Sequence, residues 1–197
     1  MRRRNPFVRR PECCQAGAVT STLRTARLLL RPPGEHDVDA VYRACQDPDI
    51  QRFTLVPVPY RRSDAEQFVR VTAPSPDSVT RVITTADDVL VGCIGVALRD
   101  AGGSVGYWSV PEHRGRGYMT EALAAVVDEA LSSDGLGLTR LTWSALPANL
   151  LSARLAARAG FRYTGVRTET AGGRDEQVVT AELHAGDERI PQIWPDV

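Results

Sequence analysis

The residues whose spacing carries the most chemistry are Gly106-Tyr107-Trp108-Ser109-Val110-Pro111-Glu112-His113-Arg114-Gly115-Arg116-Gly117-Tyr118. They read as a strand that runs into a glycine-rich turn and opens a long helix. The N–H groups of a first helical turn lack intrahelical partners and lie at the positive end of the helix dipole, so such a turn suits an anion. Gly115 and Gly117 let the backbone approach a pyrophosphate with no Cβ in the way, and Arg114 and Arg116 add charge from the rim. Two familiar phosphate loops fit poorly. The P-loop needs a lysine after its last glycine, and this chain has no lysine at all. A dinucleotide fingerprint opens an early βαβ unit and expects an acidic residue further on, whereas this loop comes late, after an antiparallel-looking meander. Further along, Asn149 after Pro147 reads as the N-cap of another helix, with Ser152 in its first turn.

The elements that must position these residues are legible from pattern. Residues 23–31 read as a first strand closed by Pro32-Pro33-Gly34. Val38, Val41, Tyr42 and Cys45 share one face of a helix that stops near Asp47-Pro48. Residues 51–60, rich in proline and β-branched side chains, are expected to be irregular or an edge. Ser63 with Glu66 three residues on is a capping-box pattern for a short helix. Strands are expected over 79–86, 89–98 and 104–110. A long helix over 115–131 buries Met119, Ala122, Leu123, Val126, Val127 and Ala130. A strand over 139–145 and a helix over 149–159 follow, the helix closed by Gly160. Two last strands, 161–167 and 177–184, flank a turn at Ala171-Gly172-Gly173. The pattern predicts one α+β domain over 23–184, a basic arm over 1–22 without a packing period, and a weakly patterned tail over 185–197.

Composition narrows the classes. Formal net charge is zero, which gives no global field towards nucleic acid or a membrane. The longest apolar runs, such as 28–30 and 122–127, are far shorter than a bilayer span. All the cationic side chains other than histidine are arginine, so a lysine base or Schiff base is excluded. Cys13 and Cys14 are adjacent and lack metal-type spacing, while Cys45 and Cys93 sit in apolar patterns. His36, His113 and His184 share no ligand spacing, so no metal site is predicted. Arg2, Arg3, Arg4, Arg9 and Arg10 precede no apolar stretch of secretory length, and a cytoplasmic location is expected. The arm is read as solvated, with contact to a phosphate backbone as the lesser alternative.

The Arg-Gly-Arg-Gly-Tyr loop behind a strand ending in Val-Pro resembles the acyl-CoA loop of the GCN5-related N-acetyltransferases. The resemblance runs from about residue 23 to 183 and extends to Thr25-Ala26-Arg27-Leu28-Leu29-Leu30-Arg31-Pro32 and to Asn149, Ser152, Gly160 and Phe161. These look most like the branch that acetylates the N-termini of ribosomal proteins. The resemblance implies a mixed, strongly twisted sheet of about six to seven strands flanked by about four helices. It also implies acetyl-CoA as cosubstrate. Backbone groups of Ser109 and Val110 would pair with its pantetheine arm, amides from Arg114, Gly115, Arg116, Gly117, Tyr118 and Met119 would hold the pyrophosphate, and Asn149 would touch the pantetheine. The acceptor is either a protein N-terminus, slightly favoured, or a small amine such as an aminoglycoside or polyamine, and a homodimer is compatible with the pattern. Two positions depart from the family. Glu112 stands where glutamine or arginine is usual, and Ala156 stands where many members carry a tyrosine that protonates the departing sulfur. Ser152, one turn earlier, is the implied acid. For the base, Glu112, His113, Asp175 and Glu176 are nameable without a spacing argument. Ala156 also keeps open an alternative, a non-catalytic acyl-CoA-binding regulatory module.

Overall fold

Where the pattern suggests one strand over 23–31, the chain makes a hairpin. Strands β1 (Leu23–Arg24) and β2 (Leu28–Arg31) pair antiparallel, with Leu23 opposite Leu30. Thr25 sets the turn between them: its hydroxyl accepts from the Leu28 N–H at 3.0 Å and donates to Glu121 at 2.5 Å. This computed structural model describes residues 22–171 and 174–195, so the arm expected over 1–22 lies outside the described residues except for Thr22.

A 3-10 turn (Glu35–Asp37) leads into α1 (Val38–Ala44), which ends before Pro48 as its sequence requires. Residues 51–53, expected to be irregular, instead complete a further helix, α2 (Pro48–Phe53). Asp47 caps that helix by accepting the Ile50 N–H at 3.0 Å, and proline suits the first helical position, where its missing N–H costs nothing. Helix α3 (Arg62–Gln67) starts ahead of Ser63, because the Asp64 carboxylate accepts the Arg61 N–H at 2.7 Å.

Strands β3 (Ser78–Thr85), β4 (Leu90–Arg99) and β5 (Gly102–Ser109) form the expected meander. Helix α4 (Tyr118–Leu131), strand β6 (Arg140–Ala145) and helix α5 (Leu150–Arg158) follow. The closing hairpin, β7 (Arg162–Ala171) and β8 (Arg174–His184), is longer than its apolar pattern predicts. All the strands join one sheet of eight, in the order β1-β2-β3-β4-β5-β6-β8-β7. The split first strand and the additional α2 account for the excess over the expected counts.

Both faces of the sheet are covered. In β3, Val82 joins a cluster with Val38, Val41, Ile50, Ala65 and Val69 from α1, α2, α3 and the turn after it. The next residue, Ile83, faces the other way, into a cluster with Leu123, Val126, Val127, Leu141 and Phe161. That alternation is what a central strand between two helical layers needs. The stretch after β8 carries no helix or strand through residue 195, yet it is seated. Gln192 N–H donates to the Ala157 carbonyl and Trp194 Nε1 to the Phe161 carbonyl, both at 2.9 Å.

Candidate active site

The site begins as a break in the sheet. Among the described residues, strands β5 and β6 are the one parallel pair, and they pair only at Gly102↔Arg140, Gly103↔Leu141 and Ser104↔Thr142. Past Ser104, β5 continues against β4 alone, while β6 continues against β8 from Trp143↔Ala181 to Ala145↔Val179. The sheet therefore opens at the carboxyl ends of two parallel strands, a place where open sheets bind ligands.

The backbone of β5 shows which groups face this opening. Val110 N–H donates to the Val91 carbonyl at 3.0 Å, so position 110 is turned towards β4. Hydrogen-bonded and non-bonded positions alternate along an antiparallel pair, which turns the amides and carbonyls of Ser109 and Tyr107 to the open side. The Ser109 carbonyl indeed accepts from Arg114 Nε at 3.3 Å. Val110, in contrast, has its amide committed to β4 and its carbonyl to His113 N–H, and it does not line the cleft. An added pantetheine strand would meet Ser109 and Tyr107 rather than Val110.

At the end of β5 the chain passes through a 3-10 turn (Pro111–His113) into the glycine loop. Gly115 and Gly117 both have φ of 76°, a left-handed conformation that side chains with a Cβ avoid. A Cβ at Gly115 would meet nothing within 4 Å, so the backbone angle, not crowding, requires glycine there. Gly117 is the N-cap of α4, and the first intrahelical bond is Glu121 N–H to Gly117 O at 3.1 Å. The amides of Tyr118, Met119 and Thr120 are thus left to face the cleft that these residues line. Glu121 turns outward instead. Burial alone would raise its carboxyl, yet hydrogen bonds from Thr25 and Arg27 hold it below the ordinary carboxylate range. Arg27 bonds Glu121 at 2.6 Å and the Arg116 carbonyl at 3.0 Å, so the loop is braced from behind.

The cleft has a volume of about 440 Å³. Its second wall is α5. Asn149 caps that helix by accepting the Ser152 N–H at 3.3 Å, and it also lines the cleft. Leu151, Arg154, Leu155 and Arg158 follow at helical spacing along the same wall. At its floor, Ser152 Oγ lies 3.0 Å from the Tyr107 hydroxyl, and Trp143 Nε1 lies 3.1 Å from the Tyr107 hydroxyl and 3.2 Å from Ser152 Oγ. Burial pushes the Tyr107 phenol up to about 12, against hydrogen bonds with Ser152 and Trp143 that pull the other way.

The far end is built from side chains of α2 and its surroundings: Asp49, Ile50, Phe53, Thr54, Trp108 and His113. His113 Nδ1 is buried there without a hydrogen-bond partner among the described residues. Arg114 reaches across to Asp47 at 2.5 Å and Asp49 at 3.1 Å. Its guanidinium ties the loop to α2 and is not a free charge on a phosphate rim. Arg116 is exposed and outside the lining.

Of the sequence-predicted residues, the fold brings Ser109, Arg114, Gly115, Gly117, Tyr118, Met119, Asn149 and Ser152 to one cleft, and leaves Val110 and Arg116 out of its lining. Of the candidate bases, His113 reaches the cleft; Glu112, Asp175 and Glu176 are exposed elsewhere. Sequence reasoning missed Thr120, the hydroxyl of Tyr107, Trp143 and the pair Arg154 and Arg158. The alternation of leucine and arginine at 151, 154, 155 and 158 was the available signal for that pair. Among the described residues, no group of three or more His, Cys, Asp or Glu could hold a metal ion, and no helix is long and apolar enough to cross a membrane.

The family described as "Acetyltransferase (GNAT) domain" matches residues 27–162, and the chain belongs to it. The chain is 33% identical over 117 residues to "Probable N-acetyltransferase YjcK" of Bacillus subtilis, a match that spans 55% of this chain and 62% of that protein. Among solved structures, the fold resembles RimL, a ribosomal L7/L12 alpha-N-protein acetyltransferase in complex with coenzyme A, with a TM-score of 0.71, 17% identity, and coverage of 83% of this chain and 98% of that one. It also resembles the microcin C7 self-immunity acetyltransferase MccE in complex with acetyl-CoA and AMP, with a TM-score of 0.69, 19% identity, and coverage of 81% and 93%. At these identities the two structures speak for the fold.

Proposed function

We propose that the chain is an acetyl-CoA-dependent N-acetyltransferase that passes the acetyl group directly to a primary amine. The carrying observation is the split between β5 and β6 that ends on the unpaired amides of α4. A pantetheine arm suits the open edge of Tyr107 and Ser109, and a pyrophosphate suits the amides around Gly117. Arg154 and Arg158, which pair with no carboxylate among the described residues, keep that wall cationic.

Acetyl-CoA supplies the acyl group as a thioester: the amine lone pair forms the C–N bond, the C–S pair departs on sulfur, nitrogen loses one proton and sulfur gains one. The chain's part is to position both partners and handle those protons. Ser152 is assigned as the donor towards sulfur. An ammonium, with an ordinary pKa of about 8 at a protein N-terminus and about 10 on an alkyl amine, must shed a proton before it can attack. His113 is the candidate acceptor, with a buried ring nitrogen that has no hydrogen-bond partner among the described residues, on a side chain that lines the cleft.

A protein N-terminus is the favoured acceptor over a small amine. Its support is the resemblance to the N-terminal acetyltransferase branch and the apolar rim beside Phe53 and Thr54, where Leu55 is 82% and Val58 67% exposed. Calorimetric titration of the full chain with acetyl-CoA, then thiol release across a panel of N-terminal peptides and small amines, tests both levels. Binding with thiol release on peptides is the expected outcome. A folded protein that binds no acetyl-CoA would end the transferase reading. Binding without release on any amine would favour the regulatory module.

A further inference from the structure

The hydrogen-bond geometry at the cleft floor says more about Ser152 than its position does. Trp143 Nε1 is a donor only, and its single hydrogen faces two oxygens, Tyr107 Oη at 3.1 Å and Ser152 Oγ at 3.2 Å. Those oxygens therefore meet a donor from behind, which occupies lone pairs and leaves their own hydrogens to point elsewhere. Tyr107 Oη lies 3.2 Å from the Ser152 carbonyl and can spend its hydrogen there. In this structure Ser152 Oγ donates to Tyr107 Oη at 3.0 Å. An acceptor that enters the cleft lined by Ser152 takes that hydrogen once Tyr107 turns its own from the Ser152 carbonyl onto Ser152 Oγ. Trp143 itself cannot swing. It is 2% exposed in the core, and its far side packs against the Trp194 ring at 5.3 Å, with Trp194 anchored on the Phe161 carbonyl.

Resting on the transferase reading, we infer that Tyr107 and Trp143 are positioning residues that hold Ser152 as a hydrogen-bond donor to the coenzyme sulfur. They compensate for the side chain that position 156 lacks, since Ala156 is 0% exposed in the core and offers no donor. Tyr107 is not the proton source. Its phenol, pushed up to about 12 by burial, stays protonated at neutral pH. Transfer from it to a thiolate, whose conjugate acid ionises near 8.5, is uphill by several units. Its task is to fix which way the serine hydrogen points.

Coenzyme A itself is the probe, because a thiolate absorbs in the ultraviolet where a thiol does not, and no acceptor is needed. Donation to the charged form favours it, so coenzyme A bound to the wild-type chain is expected to ionise about one pH unit below free coenzyme A. Tyr107→Phe removes one hydroxyl and keeps the ring. It is expected to abolish most of that shift while the coenzyme A dissociation constant stays within about threefold. Ser152→Ala abolishes the shift completely. The double variant Tyr107→Phe/Ser152→Ala should match Ser152→Ala alone, because a residue acting through Ser152 has nothing left to act on. A merely structural role would instead add its effect to that of the alanine. Trp143→Phe should move the thiol as Tyr107→Phe does, and Tyr107→Phe decides the matter if the tryptophan variant does not fold. An unchanged thiol in Tyr107→Phe, or a further shift in the double variant, overturns the inference. Tight binding by the wild type with an unshifted thiol overturns it too, while leaving the transferase reading intact. No coenzyme A binding by the folded wild type removes that reading, and the inference with it.

Discussion

The two ends of the cleft are made of different materials. The end around Gly115, Gly117 and α4 is backbone: two left-handed glycines, an open strand edge and a turn of unpaired amides. The end around α2 is side chains: Asp49, Ile50, Phe53 and Thr54, tied across to the loop by Arg114. Backbone groups take the same positions whatever side chains surround them, so the first end suits a ligand with fixed chemistry. Side chains can be exchanged singly, so the second end suits a ligand that varies between relatives. On the proposed function the cosubstrate belongs at one end and the acceptor at the other, a division that can be broken experimentally.

The strongest test places a charge among the amides without disturbing the glycines. Thr120 is exposed in the first turn of α4 and lines the cleft. A carboxylate in a first helical turn stabilises the helix by about 0.5 kcal/mol through the dipole. Facing a pyrophosphate, the same carboxylate costs several kcal/mol through like-charge repulsion. Thr120→Glu is therefore expected to keep or raise the melting temperature and to weaken acetyl-CoA binding about a hundredfold or more, as read by calorimetry. Unweakened binding would mean that the phosphates do not lie at this helix start.

A smaller effect separates the two ends from each other. If Arg114 serves α2 rather than phosphate, Arg114→Gln frees Asp47 and Asp49 and loosens the acceptor end. The acceptor KM should rise about tenfold, while the acetyl-CoA dissociation constant moves less than about threefold. The reverse pattern, with acetyl-CoA affinity bearing the loss, would return Arg114 to the phosphate rim and dissolve the distinction.

The same division explains what could be read before any coordinates. Gly115, Gly117, Asn149 and Gly160 mark backbone events, caps and left-handed turns, whose requirements are local and therefore visible as spacing. The order of strands and helices from β3 to α5 was legible for that reason. The hairpin hidden in 23–31 was not, because its turn depends on Glu121, far away in sequence. Nor was α2, where proline looked like a breaker although Asp47 made it a helix start. The tail offers no period to read, since it is held by a few contacts of Gln192 and Trp194. At the candidate site, only the fold shows Trp143 bringing the Tyr107 hydroxyl together with Ser152. The tie of Arg114 to Asp47 likewise needs two distant segments to meet.

The smallest effect asks whether the backbone end stands by itself or leans on its brace. Glu121 binds Thr25 and Arg27, and Arg27 in turn holds the Arg116 carbonyl. Because these contacts keep the Glu121 carboxyl below its unfolded value, they favour the folded state at pH above that value, near 4.3. The contribution fades as pH falls through the lower folded value. Glu121→Gln removes the charge and keeps an oxygen acceptor. Since Arg27 is about half exposed, with 49% of its side chain in solvent, the change should cost no more than about 1 kcal/mol at neutral pH. In denaturation curves the gap between wild type and variant should narrow and close as pH is lowered past that window. If the glycine loop is self-supporting, acetyl-CoA affinity at neutral pH stays within about threefold, a change of well under 1 kcal/mol. A loss of tenfold at unchanged global stability would show that the amides are aimed by Arg27 rather than by Gly115 and Gly117 alone, and the cosubstrate end would then depend on side chains as the acceptor end does.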